Sequence, residues 1–525
     1  MISTYQSNLE NFYYWAQKQP NEIFLKQPLG DDYIDFTYQA SENQVNKLAA
    51  FLKEKVQSGP KHVGILSKNS AYWILADLAI SSAACVSVPF YATLTSEQLN
   101  EVLVHSDCQV LIVGKLDHWD SIKSGIPSNV LIIHTPESEG KDSIQWNDFL
   151  NQEFPTFQPH KPQHNELSTI VYTSGTTGSP KGVMISNSSV AQALNLARKI
   201  AYLDTPKTRF ISYLPLCHIA ERNIVEFACI AAGGTIYFVE NLLTFKENLH
   251  RANPTHFLAV PRIWSKFQEG ILEKIGGQKK LDLLLSIPIV NQIIKKKIKK
   301  SLGLDKAFLM ITGAAPMPPE LLKWYQKIDF FIQEAYGMTE NMGLNSLMPR
   351  DEIRIGTVGK IHETCQTRID PETKEIQMKA DYNSWGYYKE EKLTQALFED
   401  GWLKTGDMGE IDSNGFLSII GRVKDNFKTA KGQYVSPAPI ENNLSIDPHV
   451  EQCCVVGINL PQPIALIVLS LEGKKLELST LIENLEALRK NTNPQFKKYE
   501  HISKMIILKE DWTIENNCLT PTLKI

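Results

Sequence analysis

The chain has 525 residues and a net charge of −4, from 54 Lys+Arg against 58 Asp+Glu, with 43% hydrophobic and 21% charged residues. That balance, with 29 Gly and 27 Pro, excludes a disordered, collagen-like or wholly basic nucleic-acid-binding chain. It leaves a globular protein of about three domain-sized units, or of one large and one small unit. Eight cysteines are too sparse for a disulfide scaffold and none stands at CxxC spacing, so a reducing, cytoplasmic compartment is expected.

In chain order, the first residues, MISTYQSNLENFYYWAQ, lack a basic region followed by an apolar one, which argues against a cleaved secretory signal. From about Phe36 to Val260, short apolar runs alternate with helical stretches. The runs at 62–66, 110–113, 130–133, 169–172 and 234–239 read as buried strands, and 41–54 and 96–105 read as helices. This alternation predicts βαβ units and parallel sheet. The longest uncharged run, 78–96, is broken by Ser81, Ser82, Ser87 and Pro89 and reads as buried helix and strand, not as a membrane span. Residues 281–302 are apolar up to Ile294 and then strongly basic, with Lys295, Lys296, Lys297, Lys299 and Lys300. Such a segment suits either a solvated helical face or an interfacial helix in peripheral contact with a membrane. Segment 353–421 has closely spaced short strands with an Asn414-Gly415 turn and predicts a small antiparallel, barrel-like sheet. After Arg422 a turn-rich stretch, a helix at 440–446 and strands at 453–456 and 465–469 predict a separate α+β lobe.

The most informative stretch follows the strand at 168–172: Thr173, Ser174, Gly175, Thr176, Thr177, Gly178, Ser179, Pro180, Lys181, Gly182, Val183. Glycines and hydroxyls after a strand make a loop whose backbone N–H groups can cradle phosphate, with Lys181 as a point charge. It is not the P-loop of nucleoside triphosphatases, because Pro180 stands where that motif needs glycine and Gly182 where it needs Ser or Thr.

This stretch resembles the phosphate loop of the adenylate-forming (AMP-binding) superfamily, which includes acyl-CoA synthetases and firefly luciferase. Further stretches match in the same order: Tyr336-Gly-Met-Thr-Glu340, Gly401-Trp-Leu-Lys-Thr-Gly-Asp407, Gly421-Arg-Val-Lys-Asp425, Lys431-Gly-Gln-Tyr-Val-Ser-Pro437 and the final Leu519-Thr-Pro-Thr-Leu-Lys524. Within the superfamily, Val88-Pro-Phe-Tyr-Ala-Thr-Leu94, Leu214-Pro-Leu-Cys-His-Ile-Ala-Glu-Arg222, Ala259-Val-Pro-Arg-Ile-Trp264 and Thr312-Gly-Ala-Ala-Pro316 look like the long-chain fatty acyl-CoA synthetases. Cys217 stands where that subgroup has alanine, a small-for-small change. The resemblance implies an α/β fold. It comprises a large N-terminal lobe, residues 1–422, of parallel α/β subdomains plus the small barrel-like subdomain, and a small mobile α+β lobe, residues 423–525.

The same resemblance implies a role for each matching residue. Thr173, Ser174, Gly175, Thr176, Thr177, Gly178 and Lys181 would hold the ATP phosphates. Gly313, Ala314 and Ala315 would let backbone approach the adenine, against which Tyr336 presents its ring beside Gly337. Thr339 would bond the α-phosphate and Glu340 would ligate Mg²⁺. Asp407 and Arg422 would take the ribose hydroxyls. Lys424 would be the hinge, Gly432 would help form the coenzyme A tunnel, and Lys524 would bridge the substrate carboxylate and the phosphate. His218 is placed beside the substrate pockets, where a satisfied core histidine fits as well as a functional one. Two departures stand out: the sequence stops at Ile525 where members of the family generally continue past the lysine, and Lys374 replaces a turn glycine.

The implied reaction is ATP-dependent activation of a long-chain fatty acid through acyl-AMP to acyl-CoA, releasing AMP and pyrophosphate. The alternatives are an acyl-AMP ligase with another acceptor, a medium-chain or aryl acid ligase, and a non-catalytic nucleotide-binding relative. ATP, Mg²⁺ and coenzyme A are the expected cofactors and co-substrates. Fatty acid, ATP and coenzyme A are the expected partners, with no nucleic acid; membrane contact through the lysines of 295–300 and a homodimer are further expectations.

Overall fold

The computed structural model describes residues 7–155, 157–173, 180–513, 516, 518 and 519. Two large sheets form the N-terminal part. The first has seven strands in the order Ile144–Gln145, Leu131–His134, Cys108–Val113, His62–Leu66, Val86–Phe90, Leu167–Thr173, Lys181–Ser186, parallel except for the last pair. His62–Leu66 is buried at every position, as a strand covered on both faces must be. The second has nine strands, with Ile332–Tyr336, Leu309–Thr312, His256–Leu258, Arg209–Ser212, Thr235–Phe238 and Ile23–Leu29 parallel in that order and antiparallel strands at both ends.

Helix Ala71–Ser82 lies between the two sheets, packed on strands of both. It is apolar almost all round, with Trp73, Ile74, Leu75, Leu78 and Ile80 all buried, and its end together with strand Val86–Phe90 makes the uncharged run 78–96 the buried helix and strand expected. Among the described residues, no helix is long and apolar enough to cross a membrane. The expected helices are present, one slightly longer as Tyr38–Lys55 and one as Ser96–His105. Thr37 starts the former by accepting a hydrogen bond from the Ala40 N–H at 3.1 Å.

A charged knot crosses the same layer. Arg222, 1% exposed, donates to Asp77 Oδ1 (2.6 Å) on the central helix, to Glu226 Oε2 (3.1 Å) and to Thr169 Oγ1 (2.7 Å) on the seven-stranded sheet. Arg222 and Glu226 belong to a π-helical turn, Arg222–Phe227, between two strands of the nine-stranded sheet. Burial, and then the Asp77 charge, push the Glu226 carboxyl far above its ordinary range, and Arg222 offsets this only in part. Arg222 thus binds both carboxyls inside a layer closed to water, where pairing limits the cost of burying charge.

Neighbouring Glu221 is fully buried and accepts from Ser212 Oγ (3.0 Å) and the Tyr213 N–H (2.9 Å); burial pushes its carboxyl up to about 8. Glu334 is likewise raised to about 8 and Glu441 to about 7, both mainly by burial. A carboxyl raised in the folded state contributes stability that is complete below pH 4.5 and is lost as pH rises through its folded value. The melting temperature of the free protein is therefore expected to fall from about pH 5 to pH 9. Glu221→Gln, which keeps an acceptor for both donors, should flatten that slope by up to about 1.4 kcal/mol per pH unit. An unchanged slope in the variant would refute this assignment.

A five-stranded antiparallel sheet (Gln366–Ile369, Glu375–Lys379, Trp402–Ile411, Phe398–Glu399, Leu417–Arg422) lies in the segment expected to be small and antiparallel. Its Asn414-Gly415 turn is held by Asp412, whose Oδ1 accepts from the N–H groups of Asn414 (2.8 Å) and Phe416 (3.0 Å), and Gly415 takes φ +80°. Lys374 sits at φ +61° in the preceding turn, the conformation for which glycine is suited. Lys374→Gly is expected to raise stability by roughly 0.5–1 kcal/mol in urea melts, with activity unchanged.

The smaller C-terminal domain has a three-stranded sheet, Val450–Val456, Ile464–Leu469 and Lys504–Ile507, covered by helices Pro437–Leu444 and Leu478–Thr492. The first helix begins earlier than the expected 440 because Pro437 fits the first helical turn. The domain keeps its own core, which includes Val435, Ile440, Leu444, Ala465 and Ile467. Its contacts with the rest of the chain include Ser436 Oγ donating to the Ile420 carbonyl (3.0 Å) and an Arg262–Glu451 ion pair (2.9 Å). All eight cysteines are free.

Candidate active site

Three of the expected site segments begin where parallel strands end. Thr173 closes Leu167–Thr173, Gly313 follows Leu309–Thr312, and Tyr336 closes Ile332–Tyr336. Ligands of open α/β sheets bind in the crevice outside such carboxyl ends. Thr173 pairs in register with Lys181, so the two residues form the base of the phosphate-loop hairpin. Ser174, Gly175, Thr176, Thr177 and Gly178 lie outside the described residues, as does Lys524.

Beside Lys181–Ser186 runs segment 384–388. Trp385 N–H donates to Met184 O (2.9 Å), Met184 N–H to Gly386 O (2.9 Å) and Tyr388 N–H to Gly182 O (2.8 Å). This pairing puts Tyr387 at the centre of a cluster. Lys181 Nζ lies 5.4 Å from its ring centroid, and its hydroxyl donates to Glu340 Oε1 at 2.7 Å. Burial, and then the Glu340 charge, hold the Tyr387 phenol well above its ordinary range, so it stays a donor. Glu340 and Thr339 are each 6% exposed, in a short 3₁₀ turn that the Ser384 N–H fastens by donating to the Glu340 carbonyl (2.7 Å). The segment containing Tyr387 and Ser384 was not singled out from the sequence. Its only local signal is the Trp385-Gly-Tyr-Tyr388 run, while the contact that matters spans 47 residues.

A second cluster surrounds Asp407. Tyr336 Oη donates to Asp407 Oδ2 (2.7 Å) and Arg422 Nε to Asp407 Oδ1 (3.0 Å), and Asp407 and Arg422 are cross-strand partners. The hairpin at Gly415 is what returns Arg422 to Asp407. Gly313 stands against the residue that precedes Tyr336: a Cβ there would lie 3.1 Å from the Ala335 carbonyl oxygen, and the following Ala314 takes φ +65° and, with Ala315, is exposed. Gly337 is tighter still, since a Cβ would lie 2.2 Å from the Gly343 carbonyl carbon.

The remaining expected residues occupy local settings of their own. His218 is half-buried and accepts from the Ala220 N–H (3.2 Å) at the start of the short helix Ile219–Glu221. Lys424 is exposed in the turn after Leu417–Arg422, and Gly432 takes φ +78° in an exposed turn before Tyr434–Val435. Among the described residues there is no group of three or more His, Cys, Asp or Glu that could hold a metal alone. A lone carboxylate such as Glu340 fits Mg²⁺, which is commonly held by one or two carboxylates plus substrate phosphates.

Residues 12–381 match the AMP-binding enzyme family, and residues 424–516 match the AMP-binding enzyme C-terminal domain. A long-chain-fatty-acid–CoA ligase of Rattus norvegicus is 30% identical over 476 residues, 81% of this chain and 71% of that protein. The peroxisomal long chain acyl-CoA synthetase 6 of Arabidopsis thaliana is 30% identical over 535 residues, 88% of this chain and 75% of its own. The chain spans from 60% to 71% of the length of five animal long-chain-fatty-acid–CoA ligases that it matches. The crystal structure of an anthranilate CoA ligase in complex with anthranoyl-AMP superposes with TM-score 0.80 at 19% identity, covering 100% of this chain and 96% of that one. The extent of the match, the order of the motifs and the shared fold place this chain in the AMP-binding enzyme family, among the adenylate-forming ligases.

Proposed function

We propose that this protein is an ATP- and Mg²⁺-dependent long-chain fatty acid:CoA ligase acting in the cytoplasm, and that residues 1–422 and 423–525 are its two lobes, hinged near Lys424. The observation that carries the reading is the pair of clusters at the strand ends: Lys181–Tyr387–Glu340 on one side and Tyr336–Asp407–Arg422 on the other. The first offers positive charge and a metal-binding carboxylate to phosphates, and the second offers a ring and hydrogen-bonding groups to a nucleoside. Similarity to long-chain ligases supports the choice of acid.

In the first half-reaction, a carboxylate oxygen of the acid attacks the α-phosphorus and the bond to pyrophosphate breaks. Lys181 and Thr339 would offset charge on the phosphate oxygens, and Lys524 would offset repulsion between the two anions. Mg²⁺, held by Glu340 when bound, would supply further neutralisation of phosphate charge. In the second half-reaction, the coenzyme A sulfur attacks the acyl carbon and AMP leaves, after the smaller lobe has rotated on its connector to bring the Gly432 turn to the site.

Incubation with ATP, Mg²⁺ and palmitate should yield pyrophosphate and, with coenzyme A, palmitoyl-CoA. Pyrophosphate without a thioester would point to another acceptor, and no product across a panel of chain lengths would overturn the enzyme reading. Lys524→Ala should abolish acyl-AMP formation while leaving conversion of supplied acyl-AMP to thioester largely intact. Equal loss of both steps would remove Lys524 from its proposed role.

A further inference from the structure

The basic segment read from the sequence as one stretch is a bent pair of helices, Gln278–Ser286 and Pro288–Leu302, broken where Pro288 starts the second. Their inner faces are conventional: Leu281, Ile298 and Leu302 are buried in the core that holds Trp324, Tyr325 and Phe330. The outer face is not. Ile289 (78% exposed), Ile293 (59%), Lys296 and Lys300 follow one another at spacings of four, three and four, which is a single line along the helix opposite Ile298. Leu283 (64%) and Ile287 (45%) extend the apolar part into the first helix and the bend. A lone exposed isoleucine needs no explanation, but a row of aliphatics where a solvated helix carries polar residues does.

Charge sharpens the contrast. Residues 276–303 contain seven lysines and one aspartate, a net +6, in a chain whose total is −4. Lys295 is turned inward to Asp329 (3.0 Å), and Lys299 lies over the Phe330 ring (5.6 Å). Lys296, Lys297 and Lys300 point outward, and none of them forms an ion pair with a described residue. At the other end of the apolar row stand the exposed Lys279 and Lys280. The surface is thus aliphatic in its middle and cationic at both ends.

The residue types discriminate among occupants. A nucleic acid would use the lysines but leave the isoleucines idle, and residues 276–303 contain no aromatic side chain on which a base could stack. Protein interfaces favour aromatics, Met and Arg and are depleted in Lys. Aliphatic side chains entering the boundary between headgroups and acyl chains, flanked by lysines near anionic headgroups, form the pattern that a lipid surface selects.

We propose that the outer face of helices Gln278–Ser286 and Pro288–Leu302 is an interfacial docking surface for an anionic lipid bilayer. Ile289 and Ile293 enter the headgroup boundary, and Lys296, Lys297 and Lys300 lie against the anionic headgroups. The inference stands on this surface alone and does not depend on the reaction assigned above.

The full chain is tested by flotation with phosphatidylcholine vesicles, with and without phosphatidylserine, at low and high salt. Binding is expected to require phosphatidylserine and to weaken at high salt. Lys296→Gln/Lys297→Gln/Lys300→Gln should weaken it by about a hundredfold, from about 1 kcal/mol per lysine. Ile289→Ser/Ile293→Ser should weaken it by at least about tenfold, from the apolar area withdrawn from the boundary. Melting temperatures within error of the parent protein are expected for both variants, and single Ile289→Ser and Ile293→Ser variants serve if the double one melts early. Absence of binding to anionic vesicles overturns the proposal. So does a serine variant that binds as tightly as the parent, because the surface would then be a site for polyanions in general.

Discussion

Glu340→Gln is expected to lower the rate of pyrophosphate release by about 10²–10³-fold, the range found when one charge-stabilising group is removed from a transition state. Glutamine keeps an oxygen that can accept the Tyr387 hydroxyl, so the 2.7 Å hydrogen bond and the turn should survive while the negative charge is lost. The loss should therefore appear in the rate and in the Mg²⁺ concentration needed for half-maximal rate, and not in the melting temperature. Tyr387→Phe separates positioning from charge. It leaves the carboxylate without its phenol donor, a hydrogen bond to a charged group worth about 1.5–3 kcal/mol, so a loss of roughly 10–100-fold is expected with Mg²⁺ dependence nearly unchanged. A Glu340→Gln enzyme within threefold of the parent rate would remove Glu340 from the proposed metal site.

Gly337→Ala should be nearly as damaging through the backbone alone. The added Cβ would meet the carbonyl carbon of Gly343 at 2.2 Å and its oxygen at 2.5 Å, and neither can turn aside as a side-chain end could. The end of Ile332–Tyr336 and the Met342–Gly343 turn must separate, at a cost of about 1–3 kcal/mol typical of overpacking. Tyr336 and Thr339 flank the displaced point, and misplacement by about 1 Å can cost 10²-fold in rate. A loss of activity larger than the loss of stability is the expected signature, read from denaturant melts and pyrophosphate release on the same sample. Native melting with full activity would show that the strand end is looser than its spacing implies.

Much of the fold was legible because burial leaves a local signature. The run His62–Leu66 is apolar since both its faces are covered, and the alternation of such runs with helices is what parallel sheet requires. The Asn414-Gly415 turn was readable because the hairpin depends on those residue types. Strand order was not: Ile23–Leu29 lies beside Thr235–Phe238, a pairing that no local pattern encodes. Length left open three units or one large and one small, and the order of the motifs favoured the second, but which of the two large sheets received each strand was not visible. The same limit applies at the site. Tyr336, Asp407 and Arg422 could be named from motifs, yet that one carboxylate joins the other two is a product of strand ends and register. Glu221 stood in a quoted motif without a role, because only complete enclosure turns it into a proton-holding group.

The knot at Arg222 has a consequence for recombination. Its four polar partners and neighbours are distributed over segments far apart in the chain: Asp77 and Ser87 early, Thr169 before the phosphate loop, Glu226 after it. Because the guanidinium and the two carboxyls are balanced as a set, a chimera that took only one of the two sheets from a relative would inherit part of that balance. A crossover anywhere between Asp77 and Glu226 therefore requires both donor sequences to supply the same set, whereas exchange of everything after Arg422 leaves it untouched.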